Sequence, residues 1–384
     1  MKILFINNSK DFPGSAISLL NLFRGLSNRG VEILVVGPKM NSQKFLDELH
    51  CLNIDYINVN NPKNVWPKIR KESNRKIIVS YIQWPIRVVR LLFQSISSEK
   101  RISKIISKYH PDIIHSNSGV IHEGFKCARR SSIPHVFHLR EYQDLDFGMK
   151  FYPSKISFIR LLHQSYVITI TEDILHHFQL DDYSKARVIY NGIYPKAKVK
   201  RLWPKQNVFL CCSRINESKG HEDVIRAFSR FSNEHQEYKL VILGYGDEDY
   251  INKLKTIASR LGCGDRITWP GFVEDPFNYI AESKALVVAS HSEGFGRMTA
   301  EAAFAGTLVI GRNSGGTKEI LSRTGGFMFD VTEGMYNEMC KVAELTEEKY
   351  LIMVDKAQSY AISHYSNEAN IENTLNFYNE ILKY

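Results

Sequence analysis

The sequence predicts an α/β protein made of two doubly wound parallel-sheet domains in tandem. Short runs of β-branched and other apolar residues recur along the whole chain and alternate with helical patterns, which is typical of parallel strands buried on both faces. The alternation pauses at residues 194–206, a segment with two prolines and five basic residues, and then restarts. A length of 384 residues is enough for two domains of ordinary size.

The alternation also sets the expected bounds of each element. The first domain is predicted over residues 1–194, with a helix over 19–26, and residues 195–206 form the predicted linker. Its strands are expected at 3–6, 31–37, 54–59, 77–82, 112–117, 135–141, 167–171 and 187–192.

The second domain is predicted over residues 207–366, with helices over 219–232 and 248–261. Its strands are expected at 208–214, 239–244, 266–271, 284–290 and 325–330. The last helical pattern, 367–384, is expected to pack back on the first domain.

The composition is that of an average soluble protein, with 43% apolar and 24% charged residues. No apolar run approaches the ~20 residues that a membrane-spanning helix requires. The six cysteines lack the spacing of a zinc site, so we expect free thiols in a reducing cytoplasm.

The net charge of +9 is shared unevenly between the two halves. Residues 1–195 hold 27 Lys and Arg against 16 Asp and Glu, a charge of +11, whereas the remainder holds 23 against 25, a charge of −2. A basic first half favours an anionic lipid surface or an acidic substrate as a partner. No nucleic-acid partner is expected, because the basic residues are spread over helices rather than forming a stripe with stacking aromatics.

A dinucleotide-binding fingerprint is the first motif to test. Gly244 and Gly246 follow an apolar strand and precede a helix, as the fingerprint requires. The third small residue of the fingerprint is missing, because that position is Asp249. A simple strand-to-helix turn explains the two glycines at least as well.

The segment 292–316, SEGFGRMTAEAAFAGTLVIGRNSGG, carries the strongest functional signal. It follows an apolar strand, at the end of a doubly wound sheet where ligands bind. A helix that starts near Arg297 would present backbone N–H groups to a diphosphate, and the glycines before it would let the ligand approach the main chain. The Glu301 carboxylate can accept hydrogen bonds from two vicinal hydroxyls, and Glu293 is expected at the same end of the sheet, before the helix. The pattern therefore predicts a nucleotide-sugar site.

Glu293 and Glu301, followed by the glycine pair 315–316, resemble the E-x7-E signature of retaining family-4 glycosyltransferases of GT-B architecture. CSRINESKGHEDVIRAF is similar to that family's arginine-and-lysine motif, and VIYNGI to the segment that closes its first domain. VILGYGDE and ITWPGFV resemble its nucleotide-side strands. The resemblance is clearest over residues 207–330, and it implies two Rossmann-like domains that face each other across a cleft.

The resemblance also implies roles for individual residues. Arg214 and Lys219 would contact the diphosphate, where fixed cations stabilise the charge of the leaving group. Glu293 would contact the transferred sugar, and no metal would be needed. Asp144 and Asp146 have the Asp-x-Asp spacing of a metal-binding pair, but they follow HLREYQ in the first domain and are interpreted as loop residues. Donor contacts are implied at Gly14, Gly244, Gly271, Phe295, Gly296, Arg297, Met298 and Glu301.

The first domain departs from the family pattern at two places. Pro13 and Gly14 stand where the family has a glycine pair, and Ala16 stands where an acid is common. The family often has a histidine after the Pro-led strand, in contact with the donor sugar. Here that position is Arg140, with His138 two residues before it on the same face of the strand. The sequence leaves the choice between these two side chains open.

Residues 84–110 predict a helical hairpin with an apolar and a basic face. Apolar residues recur at helical spacing from Val88 to Ile106, and the basic face includes Arg87, Arg90 and Lys104. This pattern suits contact with anionic lipid. The alternative is two ordinary amphipathic helices that lie on the sheet, since every surface helix needs an apolar face.

The resemblance implies a retaining hexosyltransferase that moves a sugar from a nucleoside-diphosphate sugar on the second domain to a hydroxyl acceptor on the first. A UDP-sugar is favoured over a GDP-sugar, and no metal or other cofactor is expected. The expected acceptor is a saccharide or lipid-linked saccharide of envelope or capsular polysaccharide synthesis, at the inner face of the membrane. The alternatives are a sugar-nucleotide epimerase on the same scaffold and a non-catalytic nucleotide- or polyanion-binding protein.

Overall fold

The computed structural model describes residues 1–10, 14–67 and 74–383. The chain divides into two compact units, one made of Met1–Gly192 and Asn370–Tyr384 and the other of Ile193–Ala369. Every strand pair in the two sheets is parallel, and helices connect the strands. The predicted fold class, α/β with two Rossmann-like domains, is therefore confirmed.

The first unit is built on a sheet of seven strands within the described residues. The strands are β1 (Lys2–Ile6), β2 (Glu32–Gly37), β3 (Asp55–Asn58), β4 (Ile113–Ser116), β5 (His135–Leu139), β6 (Tyr166–Thr169) and β7 (Ala186–Val188). Their order is β3-β2-β1-β4-β5-β6-β7, so the winding changes direction between β1 and β4. Ligands bind at the carboxyl ends of strands beside such a switch point.

The helices of the first unit cover both faces of this sheet. Those that precede the second unit in the chain are α1 (Gly14–Ser27), α2 (Gln43–Cys51), α3 (Asn74–Tyr109), α4 (Glu123–Arg130), α5 (Asp144–Phe147), α6 (Lys155–Leu162) and α7 (Glu172–His177). The central strands read as unbroken apolar runs because both faces are buried: Ile3, Leu4, Phe5 and Ile6 are all 0% exposed.

Two predictions fail in the region of α3. The strand expected at 77–82 and the hairpin expected at 84–110 both lie in one continuous helix, Asn74–Tyr109. A short β-branched run does not distinguish a strand from a helix segment by itself. The polar stretch near the middle does not break the helix, because Ser95 and Ser98 donate hydrogen bonds to Glu123 and Asn61 on neighbouring segments.

Asp144 and Asp146 lie in the short helix α5 rather than in a loop. The Asp144 carboxylate accepts hydrogen bonds from Lys155 Nζ (3.1 Å) and pairs with His177 Nε2 (2.8 Å). These contacts within the first unit tie α5 to α6 and α7.

The second unit is built on a sheet of six strands, all within its described residues. The strands are β8 (Gln206–Cys212), β9 (Lys239–Leu243), β10 (Ile267–Gly271), β11 (Ser283–Val288), β12 (Leu308–Arg312) and β13 (Phe327–Phe329). The order β10-β9-β8-β11-β12-β13 places the switch point between β8 and β11.

Seven α-helices and two 3-10 turns accompany the sheet in the described second unit. The turns are Glu217–Lys219 and Gly264–Arg266. The helices are α8 (His221–Glu234), α9 (Glu248–Arg260), α10 (Phe277–Glu282), α11 (Arg297–Phe304), α12 (Gly315–Thr324), α13 (Thr332–Ala343) and α14 (Glu347–His364).

The unit bounds differ from the predicted domain bounds at the linker. Residues 195–206 belong to the second unit instead of forming a separate connection. The Lys205 side chain is buried there, and its Nζ donates to the Ala281 carbonyl (2.6 Å) and to Thr307 (3.1 Å). The last helix, α15 (Asn367–Lys383), joins the first unit from Asn370 onward and adds Tyr378 and other apolar side chains to its core.

No helix in the described ranges combines the length and apolarity that crossing a membrane requires.

Candidate active site

Loops that follow β8, β11 and β12 meet at the switch point of the second unit. The Gly316 amide donates to the Glu293 carbonyl (2.7 Å), which joins the loop after β11 to the start of α12, the helix that follows β12. Gly220 has a φ of +70°, and a Cβ there would lie 2.4 Å from the Ala289 carbonyl oxygen. Glycine is therefore required where the β8 loop crosses the end of β11.

Lys219 and Glu293 form an ion pair at this junction. The Lys219 Nζ lies 2.5 Å from the Glu293 Oε1, and both side chains are about a quarter exposed. The sequence assigned these residues to the diphosphate and to the sugar, and the structure brings them together. An ammonium group has three N–H donors, so Lys219 can hold Glu293 and still donate to an incoming anion.

Arg214 points toward the loop after β9. Its Nη2 donates to the Tyr245 hydroxyl (3.2 Å), and its guanidinium carbon lies 5.5 Å from the centroid of the Tyr245 ring. Arg214 is an exposed cation that follows β8. Its contact with Tyr245 therefore holds the guanidinium at the carboxyl end of the neighbouring strand, β9.

Gly296 is the N-cap of α11 and has a left-handed φ of +81°. A Cβ at this position would lie 3.1 Å from the Thr317 amide nitrogen, so the turn has little room for a side chain. Because glycine has no side chain, the N-terminal end of α11 has no side-chain cap, and its first amides, at Arg297 and Met298, are among those that a helix does not pair within itself. Phe295, just before the cap, is buried and fixes the turn.

Glu301 lies one turn into α11 and is only 4% exposed. Its Oε1 accepts from Arg297 Nε (2.7 Å), and its Oε2 accepts from the Tyr194 hydroxyl (3.2 Å). Burial and the nearby carboxylate raise the pKa of the Tyr194 phenol, which therefore stays protonated and donates. Each carboxylate oxygen has a second lone pair, so the group retains acceptor capacity for a vicinal diol.

Two buried threonine hydroxyls lie near the glycine turn. Thr299 and Thr317 are almost fully buried, and their Oγ1 atoms have no hydrogen-bond partner among the residues that the structure describes. The Thr317 Oγ1 lies 3.2 Å from the position that a Cβ of Gly296 would occupy. Buried hydroxyls rarely lack partners, so the two threonines mark unsatisfied hydrogen-bonding capacity beside the glycine turn.

Gly244 and Gly271 lie at the ends of neighbouring strands, and the Gly244 amide donates to the Gly271 carbonyl (2.9 Å). Both residues line a cavity of about 340 Å³, together with Trp269 and side chains of α9 that include Glu248 and Lys255. A Cβ at Gly244 would lie 1.9 Å from the Ser213 carbonyl oxygen, which explains a glycine here without a dinucleotide fingerprint.

In the first unit, Arg140 is buried at the carboxyl end of β5. Its Nε donates to Asn117 Oδ1 and its Nη1 donates to Asn191 Oδ1, both over 2.7 Å. Burial lowers the pKa of Arg140 to about 10, so the side chain is still a cation at neutral pH. A buried cation with neutral amide partners is suited to a strongly polar or anionic ligand.

His138 ends a buried chain of hydrogen bonds on the same face of β5. The Tyr378 hydroxyl contacts His115 Nδ1 (2.7 Å), and His115 Nε2 lies 3.2 Å from His138 Nδ1. With the phenol as donor, His115 donates from Nε2, and His138 carries its proton on Nε2. That His138 nitrogen has no partner within the described part of the chain. The structure thus places polar groups of both candidates near the carboxyl end of β5.

Four buried histidines of the first unit share an electrostatic property. Burial lowers the pKa of each ring because the charged form loses its hydration; the residues are His115, His122, His135 and His138. A histidine whose pKa is lower in the folded state than in the unfolded state takes up its proton on unfolding. Its contribution to stability is therefore lost as the pH falls below about 6.5.

We expect His138→Gln to reduce this acid sensitivity. Removing one such ring should lower the slope of the unfolding free energy against pH by up to about 1.4 kcal/mol per pH unit between about pH 5.5 and 4.5. Urea unfolding of wild type and variant at several pH values measures the slope. An unchanged slope would mean that His138 takes up its proton in the folded state.

Gly14 begins α1 at the carboxyl end of β1. Residues 11–13, which include the family-divergent Pro13, lie outside the described residues.

Comparison with known proteins places the two halves of the chain in related families. Residues 13–196 match the model of Glycosyltransferase Family 4, and residues 195–360 match the model of Glycosyl transferases group 1. Each half is a glycosyltransferase-family domain.

Solved structures show the same two-domain fold. Anabaena HepE in complex with UDP is 19% identical, with a TM-score of 0.78 over 98% of this chain and 99% of that chain. A glycosyltransferase from Rickettsia africae, also 19% identical, has a TM-score of 0.77 over 100% and 98% of the two chains. These likenesses establish the GT-B fold for this glycosyltransferase-family chain.

Curated relatives match over part of their length. An uncharacterized glycosyltransferase of Methanocaldococcus jannaschii is 27% identical over 60% of this chain and 64% of its own length. The α-monoglucosyldiacylglycerol synthase of Streptococcus pneumoniae is 28% identical over 58% of this chain and 55% of its own length. The matches therefore span less than two thirds of these relatives.

The sequence reasoning missed several residues that hold the predicted ones in place. Tyr194 contacts Glu301 from 107 positions away, and no periodicity links the two. Asn191 likewise reaches Arg140 across 51 positions. Asn117 could have been identified as a site residue from the sequence, since it directly follows β4 at the switch point of its sheet.

Proposed function

We propose that the protein transfers a sugar from a nucleoside-diphosphate sugar to a hydroxyl acceptor, with retention of the anomeric configuration. The observation that carries the proposal is the arrangement at the β8–β11 switch point. A cation, Lys219, a glycine-capped helix end at Gly296 and a buried carboxylate, Glu301, are held there by neighbouring loops and one helix. These are the groups that a diphosphate and a ribose require.

The donor is proposed to bind in an extended manner along these groups. The diphosphate is assigned to the α11 amides and to Lys219 and Arg214, since two cations stabilise the charge of the departing nucleoside diphosphate. The ribose hydroxyls are assigned to the remaining acceptor positions of Glu301. Glu293, held by Lys219, is assigned to the transferred sugar.

The reaction exchanges one bond at the anomeric carbon for another. The bond from that carbon to the diphosphate oxygen breaks, and a bond to the acceptor oxygen forms on the same face. The acceptor proton passes to a phosphate oxygen of the departing nucleoside diphosphate. The charge on the leaving group is stabilised by Lys219 and Arg214, so the mechanism is proposed without a metal.

The acceptor is assigned to the first unit, where Arg140 or His138, both buried near the carboxyl end of β5, is the proposed contact to the transferred sugar. A UDP-sugar is the proposed donor, which the UDP in the HepE structure supports. A saccharide or lipid acceptor of the cell envelope is proposed, and the pneumococcal relative, named for a glucosyldiacylglycerol, supports a lipid.

A thermal-shift panel with UDP, GDP, ADP and NAD tests the donor site. A ligand at about 100 times its Kd adds about 2.7 kcal/mol of stability, so a true ligand should be plain. We expect UDP to stabilise the wild type and the Lys341→Ala control, a surface lysine paired with Glu338 on α13, and to stabilise Lys219→Ala much less. Stabilisation by NAD alone would contradict the proposed function.

A further inference from the structure

The first half of α3 presents an apolar stripe to solvent. Its members follow one another at spacings of four and three residues, so they share a sector about 80° wide on a helix that turns about 100° per residue. The members of this α3 stripe, with their exposed fractions, are Ile82 (69%), Ile86 (68%), Val89 (50%), Phe93 (69%) and Ile96 (52%).

The opposite face of α3 is fixed to the rest of the first unit. Ser95 Oγ donates to Glu123 Oε1 (2.7 Å), a carboxylate that also accepts from Asn64, and Ser98 Oγ donates to Asn61 Oδ1 (2.6 Å). These serines are buried. Further along the helix, Ile102 and Ile106 join the apolar core beneath the sheet. The stripe therefore cannot turn inward without breaking buried hydrogen bonds.

The charges around the α3 stripe have one sign. Residues 81–109 contain six basic side chains and a single acidic one, Glu99. Glu99 is 8% exposed, and Lys126 and Arg130 pair with it from α4 at 2.9 and 2.7 Å. The basic side chains within residues 81–109 are Arg87, Arg90, Lys100, Arg101, Lys104 and Lys108. An apolar stripe bordered by cations is complementary to an anionic lipid surface.

We propose that α3 docks the first unit on an anionic membrane surface. The α3 stripe inserts at the boundary of headgroups and acyl chains, while the basic residues contact lipid phosphates. A second copy of this chain is a poorer occupant, because two stripes in contact would bring like charges together without an exposed acid on α3 to pair with them. The inference does not depend on the proposed catalytic activity.

Vesicle co-sedimentation of the full chain tests the proposal, with vesicles of phosphatidylcholine alone and with about 30% phosphatidylglycerol. We expect the wild type to bind the anionic vesicles at least about tenfold more strongly than the neutral ones. Ile86→Ser/Phe93→Ser should weaken binding at least about tenfold, since it removes two apolar side chains from the interface. Ile352→Ser, at an equally exposed position of α14 in the second unit, should leave binding unchanged.

A charge variant keeps the test independent of the stripe variant. Arg90→Gln/Lys104→Gln retains the α3 stripe and should lower binding to anionic vesicles about tenfold or more, with a smaller effect at high salt. Wild-type binding to neither vesicle, or equal binding by wild type and both variants, would overturn the proposal. A dimer in light scattering that Ile86→Ser/Phe93→Ser abolishes would overturn it in favour of a second copy.

Discussion

Lys219→Ala is expected to lower kcat by about 10²–10³, a larger kinetic effect than that of any other substitution considered. The substitution removes a fixed cation where charge develops on the leaving diphosphate. It also leaves the Glu293 carboxylate, now 2.5 Å from Lys219 Nζ, without its partner beside an anionic ligand. Steady-state kinetics with the donor identified by the thermal-shift panel measure the effect.

A double variant separates these two causes. Adding Glu293→Gln to Lys219→Ala removes the unpaired anion, so affinity for UDP should recover while kcat stays low. Lys341→Ala, which breaks the pair between the exposed Lys341 and Glu338 on α13, is the matched control and should behave as wild type. Wild-type turnover by Lys219→Ala would refute the assigned role.

Glu301→Gln is expected to weaken nucleoside-diphosphate binding by about 10- to 100-fold, since hydrogen bonds to a charged acceptor contribute about 1.5–3 kcal/mol. Glutamine keeps the volume of the side chain, and its carbonyl can still accept from Arg297. The amide loses the charge and one of the two acceptor oxygens, so one hydroxyl of the vicinal diol lacks its partner. Titration calorimetry with UDP measures the change.

The control for this variant is Glu333→Gln on α13. Glu333 pairs with Arg230 at the surface, with 60% of its side chain exposed, so the substitution should leave UDP affinity unchanged. If Glu301→Gln left the affinity for UDP unchanged, the assignment of the ribose to Glu301 would be wrong. Equal losses in both variants would show that the change is not specific to the site.

Most strands were predictable because a parallel sheet buried on both faces leaves a plain trace in sequence. The runs at 3–6, 208–214 and 284–290 are apolar at nearly every position, and the structure has strands there. The turn at Gly296 was also predictable from the glycine itself. The structure gives this residue a φ of +81°, which glycine adopts easily. The fold class therefore followed from local patterns.

The errors come from features that local patterns do not encode. The run at 77–82 has strand composition, yet it lies in α3, whose packed half is held by Ser95 and Ser98. Whether a β-branched run joins a sheet depends on a neighbouring strand, and in the described first unit β4 pairs directly with β1. Tertiary strand pairing therefore overrides the local β-propensity of this run.

The site could be predicted residue by residue but not contact by contact. Glu293 and Lys219 were identified separately, and their ion pair requires two loops to be placed relative to each other. The contact from Tyr194 to Glu301 likewise depends on how the first residues of the second unit pack. Long-range hydrogen bonds of this kind set the orientation of a catalytic group and leave no periodic signal.

The proposed sugar transfer is tested most directly by product analysis. Nuclear magnetic resonance would follow a UDP-α-sugar with the wild-type protein and a panel of lipid and saccharide acceptors. We predict UDP release in step with an α-linked product, and only when an acceptor is present. A new sugar epimer formed without acceptor would indicate an epimerase and contradict the proposal. A UDP-sugar that binds but is recovered unchanged with every acceptor would contradict it as well, in favour of a non-catalytic nucleotide-binding protein.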